Sequence, residues 1–366
     1  MSIPPYQVAL TAEQVAEVLR GTEHVLKSGV FLLGEQTQAF EAAFSQVTGG
    51  RDVVAVSTGT SALEMIFRSI GVDGRDVLVP TNTNFATARA VCAAGGHPVL
   101  YDGGLYPSVE DIEERQTSRT AAVVVVHIGG HVSNRLDALR ELLEAKDIRL
   151  VEDAAHAHGS SIGGRPAGTF GCAAAFSFFP TKALTTYEGG AVVSGDDCII
   201  GMARTLRNQG KDHAGLHVAE GNSWRMSEVG AVLGLVQLNS FAEDQERRAQ
   251  LLARYRSGFA DLTDSIVFPE VGVNDRLSGH KAIALLRDSG RRDQVRELAS
   301  RSGVTLAGGV YDVPLHRQPV FASLDDGSGF PLAEEFCSAH ICLPLWTHMT
   351  YGEVDRVVGT IGEALR

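Results

Sequence analysis

From residue 52 to residue 195, short apolar runs alternate with longer stretches whose apolar positions recur every three or four residues. DVVAVS (52–57), DVLVP (76–80), HPVLYD (97–102), AAVVVVH (121–127), IRLVED (148–153), AAAFSFF (173–179) and GGAVVSG (189–195) have the length and near-continuous apolar character of buried strands. TSALEMIFRSI (60–70), ATARAVCAAGG (86–96) and RLDALRELLEAKD (135–147) have helical spacing. Strand–helix alternation of this kind predicts an α/β fold with a mostly parallel central sheet and helices on both faces. A long polar-faced helix, SFAEDQERRAQLLARYRSGFADL (240–262), comes next. After it the pattern loosens into shorter strands and helices: HKAIALLRD (280–288), DQVRELASRSG (293–303) and a final helix GEVDRVVGTIGEAL (352–365). The expected organisation is a large domain over 1–245, with an N-terminal helical segment, and a smaller C-terminal α+β domain over 246–366.

Composition narrows the function classes. The chain has 366 residues, 44% hydrophobic and 21% charged, with a formal net charge of -12. That length suits two domains, and the acidic balance argues against a general nucleic-acid binder, which needs a basic stripe. No apolar run reaches membrane-spanning length, and MSIPPYQVAL lacks a basic region followed by an apolar one. The five cysteines, Cys92, Cys172, Cys198, Cys337 and Cys342, are scattered with no CxxC pair. Free thiols in a reducing cytoplasm are the expectation.

Three features stand at the ends of predicted strands, where open α/β sheets bind ligands. The first is STGTSAL (57–63), where a strand runs through small hydroxylated residues and a glycine into a helix. Free N–H groups at a helix start, with hydroxyls beside them, can cradle a phosphate; taken alone the stretch reads equally as an N-cap. It is neither Walker A nor GxGxxG. The second is VEDAAHAHG (151–159), a buried strand that delivers Asp153, with His156 and His158 close behind. HxH without a third ligand gives a metal weak support, and no metal is expected. The third is SFFPTKALTTYEGGAV (177–192), where Lys182 follows an apolar run. A lysine held away from water loses part of its preference for charge and becomes nucleophilic. A single lysine at a strand end more often snorkels to solvent.

Together the three supply what pyridoxal 5'-phosphate (PLP) needs. A cradle holds the phosphate, a lysine forms an imine with the aldehyde, and a carboxylate keeps the pyridine nitrogen protonated so that the ring accepts electrons.

The chain also resembles the DegT/DnrJ/EryC1/StrS family of PLP-dependent sugar aminotransferases, of fold type I. The likeness runs nearly end to end, through SGVFLLGEQTQAFEAAF (28–44), STGTSAL, GGHPVLYD (95–102), VVVVHIGG (123–130), VEDAAHAHG, FSFFPTKALTTYEGGAVV (176–193), LRNQGKD (206–212), WRMSEVGAVLG (224–234), VPLHRQP (313–319) and ICLPLWTHMT (341–350). The resemblance implies that Lys182 binds the cofactor and shuttles the proton, and that Asp153 partners the pyridine nitrogen. It implies His156 against the ring oxygen, Gly59, Thr60 and Ser61 as the phosphate loop, and Ser177 as a further phosphate ligand. Arg207 and His316 lie in segments that approach substrate in the family.

Three positions depart from the family pattern. The aromatic that stacks on the cofactor falls at Asn84, with Phe85 next to it. The asparagine that a neighbouring subunit lends to the phosphate falls at Ser223, with Asn222 one residue earlier. Tyr187 stands where a small residue is common, as a substrate-pocket or a packing residue. The resemblance implies transfer of an amino group from glutamate or glutamine to a keto-sugar, nucleotide-linked, or a keto-cyclitol, with the cofactor passing through pyridoxamine 5'-phosphate and the site shared in a homodimer. Retention of Lys182 favours transamination over dehydration, since the family's dehydratases carry a histidine there. A PLP enzyme for small amino acids and a PLP-binding regulator without turnover stay open as alternatives; the absent GxGxxG disfavours a nicotinamide dehydrogenase.

Overall fold

A computed structural model describes residues 2–8 and 10–366. Its centre is a seven-stranded sheet. In chain order the strands are β1 (Asp52–Val56), β2 (Asp76–Pro80), β3 (His97–Tyr101), β4 (Thr120–Val126), β5 (Arg149–Asp153), then a two-stranded hairpin β6 (Ser161–Ile162) and β7 (Arg165–Pro166) outside the sheet, then β8 (Ala173–Ser177) and β9 (Gly190–Ser194). The sheet order is β1-β9-β8-β5-β4-β2-β3. Successive side chains along a strand face opposite sides, and both sides are dry. On β4, Ala122 and Val124 join one apolar core while Val123 and Val125 join the other. This double burial is why the strands read as unbroken apolar runs.

The β3-β2-β4-β5-β8 ladders are parallel, and β9 runs antiparallel to both β8 and β1. The reversal positions the site. The chain leaves β8 at Ser177, folds back through residues 178–189, and returns along β9. The Phe178 N–H donates to the Gly189 carbonyl at 2.8 Å and the Thr186 N–H to the Phe178 carbonyl at 3.0 Å. Lys182 therefore sits over the edge of the sheet where β5 ends at Asp153.

The second sheet is antiparallel, β10 (Ile266–Val267), β11 (Ala282–Leu286) and β12 (His340–Leu343) in that order. Its core takes Ile266, Leu286, Ile341 and Val357, and also Ile3 from the other end of the chain. Ile3 pairs with Val304. The helix predicted over 240–262 is Phe241–Gly258, followed by a separate 3-10 turn at Ala260–Leu262. It spans two cores: Phe241 packs with the central sheet, Leu251, Leu252 and Tyr255 with the smaller one. Helices Ala12–Ser28 and Glu35–Val47 pack through Val18 and Phe40 against the helix Glu228–Asn239. The outer side of this region leaves Leu19 and Leu26 more than 60% exposed, with Phe31 and Leu32 about half exposed (64%, 63%, 53% and 45%). Among the described residues, no helix is long and apolar enough to cross a membrane.

Candidate active site

Lys182 and Asp153 line one cleft of about 410 Å³ at the carboxyl edge of the parallel strands. Asp153 is buried. Its Oδ2 accepts from Thr87 Oγ1 at 2.8 Å, and its Oδ1 accepts the Ala155 N–H at 3.2 Å. Thr83 stands 2.8 Å behind Thr87, so the hydroxyl that points at the carboxylate is itself held. Burial pushes the Asp153 carboxyl up, while the Thr87 and Ala155 hydrogen bonds and the Lys182 charge pull it down. Burial likewise lowers Lys182 to about 8; the Asp153 carboxylate opposes that shift and Lys281 adds to it. An amine that titrates there is available as a nucleophile and as a base near neutral pH.

One wall of the cleft is the start of the helix Gly59–Ser69. Thr58 is its N-cap, and Thr58, Gly59 and Thr60 line the cleft together with Ser177 at the end of β8. A Cβ on Gly59 would come within 2.8 Å of Ser177 Cβ, so only glycine allows the helix start and β8 to approach this closely. Among the described residues, the amides of Gly59 and Thr60 have no acceptor. Ser61, expected in the same loop, does not line the cleft. Its hydroxyl is committed to a capping box with Thr58, at 2.8 Å from the Thr58 carbonyl and 3.1 Å from the Thr58 N–H, and the residue is buried.

The opposite wall is aromatic. The His156 ring stacks on His280, with centroids 4.3 Å apart and planes 22° off parallel, and on Tyr311 at 5.9 Å. His156 and Tyr311 line the cleft, as does Asn84, whose Oδ1 caps the next helix by accepting the Ala86 N–H at 2.9 Å. Phe85 does not line it: its ring is half exposed and sits 5.5 Å from Phe321. His158 is fully buried among Phe44, Phe176 and Phe178. Among the described residues no three metal-ligating side chains cluster.

The remaining expected residues lie outside the cleft lining. Arg207 is an internal clamp: its Nη1 pairs with Glu41 and donates to the Ala55 carbonyl at 2.9 Å. His316 is buried with both ring nitrogens engaged, Nδ1 with Thr81 Oγ1 at 2.7 Å and Nε2 with Glu334 Oε1 at 3.1 Å. Tyr187 is half exposed in the left-handed region at φ 66°, beside Glu188, which does line the cleft. Asn222 and Ser223 are exposed on the strand-like segment before Arg225; Ser223 Oγ accepts from Arg225 Nη2 at 3.1 Å.

Sequence reasoning passed over several lining residues. Thr58, Phe179 and Glu188 lie inside the motifs STGTSAL and SFFPTKALTTYEGGAV, and spacing alone could have included them. Tyr311 comes from the C-terminal part of the chain, as does His280 behind His156, and no local pattern announces either.

Lys182 and Asp153 thus line one cleft with a helix start and a hydroxylated strand end. The chain belongs to the DegT/DnrJ/EryC1/StrS aminotransferase family, whose model matches residues 12–362. It is 35% identical to the dTDP-3-amino-3,4,6-trideoxy-alpha-D-glucose transaminase of Streptomyces venezuelae over 361 residues, 97% of this chain and 92% of that protein. It is similar to the crystal structure of S. venezuelae DesV in complex with a ketimine intermediate, at 34% identity and a TM-score of 0.91 over 100% of this chain and 99% of that one. It also superposes on the PLP form of Spr1654, a putative sugar aminotransferase from Streptococcus pneumoniae, at 26% identity and a TM-score of 0.90 over 100% and 98% of the two chains.

Proposed function

We propose that this chain is a PLP-dependent transaminase that takes the amino group of glutamate or glutamine and delivers it to the ketone carbon of a nucleotide-linked sugar, working as a homodimer in the cytoplasm. The carrying observation is that Lys182 and Asp153 line the same cleft as Gly59, Thr60 and Ser177. The residues fit the cofactor: the two unpaired amides and the Ser177 hydroxyl suit a phosphate, and the cleft volume suits a ligand of that size. When bound, PLP supplies an electron sink for the carbon that loses a proton.

The chain's own residues do the rest. Asp153, oriented by Thr87 and the Ala155 N–H, presents a buried carboxylate to the ring nitrogen. His156, stacked on His280 and lining the cleft, would sit against the ring oxygen. The neutral Lys182 amine takes the proton from the donor's α-carbon and gives it back at the neighbouring carbon, acting as base and then as acid. For the second half of the cycle the same residues act in the opposite order on the keto-sugar.

The exposed Leu19, Leu26, Phe31 and Leu32 support a dimer, since a soluble monomer rarely leaves so many large apolar side chains in one region. In that dimer Asn222 or Ser223 reaches the partner's phosphate. The five free cysteines suit a reducing compartment. Retention of Lys182 favours transamination over dehydration. The test is spectroscopic. PLP added to the purified chain should give a band near the visible edge; L-glutamate should remove it and a nucleotide-linked keto-sugar restore it. A band that persists through every donor leaves a binding protein, and no band at all in folded protein refutes the proposal.

A further inference from the structure

Two threonines that do not line the cleft, Thr83 and Thr87, lie in series with Asp153. Both are buried, at 2% and 0% exposed, so solvent does not compete for their hydroxyls. Thr87 is in the first turn of the helix Phe85–Ala93, and Thr83 precedes its cap, Asn84. Asn84 Oδ1 takes the Ala86 N–H, so neither threonine hydroxyl is needed to cap the helix. The four-residue spacing brings the two hydroxyls to 2.8 Å, and Thr87 Oγ1 donates to Asp153 Oδ2 at 2.8 Å. Proton count fixes the direction of both bonds. A hydroxyl carries one proton and an ionised carboxylate carries none. Thr87 therefore spends its proton on Asp153, and Thr83 must supply the one between the two threonines. Both O–H dipoles then point toward the carboxylate, and each bond strengthens the next. A protonated Asp153 would let the row run the other way, toward Thr83.

We propose that Thr83 and Thr87 are positioning residues for the transamination, a one-way hydroxyl relay that aims the Asp153 carboxylate at the ring nitrogen and holds it there as an anion. The inference rests on the transaminase reading above. Burial raises the Asp153 pKa, and the largest pull the other way is the Thr87 hydrogen bond, ahead of the Ala155 N–H and the charges of Lys182 and His127. The other titratable neighbour is Tyr311, whose hydroxyl burial and then the Asp153 charge keep neutral. Each carboxylate oxygen has two lone pairs, so Oδ2 can accept from Thr87 and still meet a ring N–H. Neither threonine touches the reacting atoms; both act through Asp153.

Titration of the cofactor-free protein tests the relay without turnover. Isotope-labelled aspartate carboxyls are followed by NMR, and Asp153→Asn identifies the Asp153 signal by its loss. Thr87→Val should raise the Asp153 midpoint by about one pH unit, a tenfold effect. Thr83→Val, which removes no direct partner of Asp153, should raise it by about half a unit, roughly threefold. Thr83→Ser and Thr87→Ser keep the hydroxyl and should restore the wild-type midpoint. Equal midpoints in Thr83→Val and the wild type, or serine variants that titrate like the valine ones, overturn the relay. In the PLP-loaded enzyme, single-turnover deamination of glutamate should slow by about the same factors, with the half-saturating glutamate concentration unchanged. In an Asp153→Asn background Thr87→Val should cost nothing further. A shifted midpoint with an unchanged rate overturns the role in the reaction. A wild type that deaminates no donor refutes the transaminase reading instead, and the titration tells the two failures apart because it needs no cofactor. A neutron structure reads the polarity without any substitution. The Thr83 hydrogen should point at Thr87 and the Thr87 hydrogen at Asp153; the reverse order overturns the proposal.

Discussion

The lowered pKa of Lys182 makes its covalent capture of PLP depend on pH in a calculable way. A lysine with its usual pKa of 10.5 is about 0.3% neutral at pH 8, whereas one titrating near 8 is about half neutral, a gain of roughly 150-fold in nucleophile. The second-order rate of PLP capture by the cofactor-free protein, followed by stopped-flow absorbance, should rise tenfold per pH unit below the midpoint and flatten near pH 8. The Asp153 carboxylate opposes the shift, so Asp153→Asn should move the midpoint lower still. A rate that continues to climb between pH 9 and pH 10 would refute desolvation as the activating device. A midpoint that stays put or rises in Asp153→Asn would remove the electrostatic link between the two walls of the cleft.

Lys182→Ala should abolish the absorbance band and turnover while leaving the melting temperature equal or slightly higher, because a desolvated amine is removed; differential scanning fluorimetry checks the second half. Glu152→Ala should cost about 3–5 kcal/mol in urea denaturation, since it strips a fully buried carboxylate from His127 Nε2 (2.8 Å) and from the N–H groups of Gly168, Phe170 and Gly171 (each 2.7 Å). Burial alone would raise the Glu152 pKa, but the His127 and glycine hydrogen bonds outweigh it and the carboxyl titrates below its usual 4.5. Its stabilisation is therefore full above pH 4.5 and is lost as the pH falls through the lower folded value; an acid-unfolding curve of Glu152→Ala lacking this component is the check. Gly59→Ala forces a Cβ to 2.8 Å from Ser177 Cβ. It should weaken PLP binding by about tenfold, roughly 1.4 kcal/mol, with a far smaller change in overall stability.

The strands of the central sheet were legible because they are buried on both faces, which leaves an apolar run and little else. For the same reason the direction of β9 was not: Gly190–Ser194 is fully buried between two neighbours and reads alike in either orientation. The N-terminal helical segment could be expected only without bounds, because Ala12–Ser28 buries only Val18 and Val25 in 17 residues, too few to set a clear period. In the site, residues at strand ends could be read from local order. Whether a hydroxyl faces a ligand or its own helix could not, and Ser61 turned inward because Thr58 offered it a cap. Arg207 and His316 carry functional-looking chemistry but have internal partners, Glu41 and Glu334, that lie far away in sequence.

The helix Phe241–Gly258 is a shared beam, its first residue anchored in the larger core and its last turns in the smaller. A truncation at residue 245 would sever it and leave each fragment with an unroofed apolar surface. The protein is thus a poor candidate for dissection into halves or for reporter insertion along this segment, and calorimetry on the intact chain should record a single melting event.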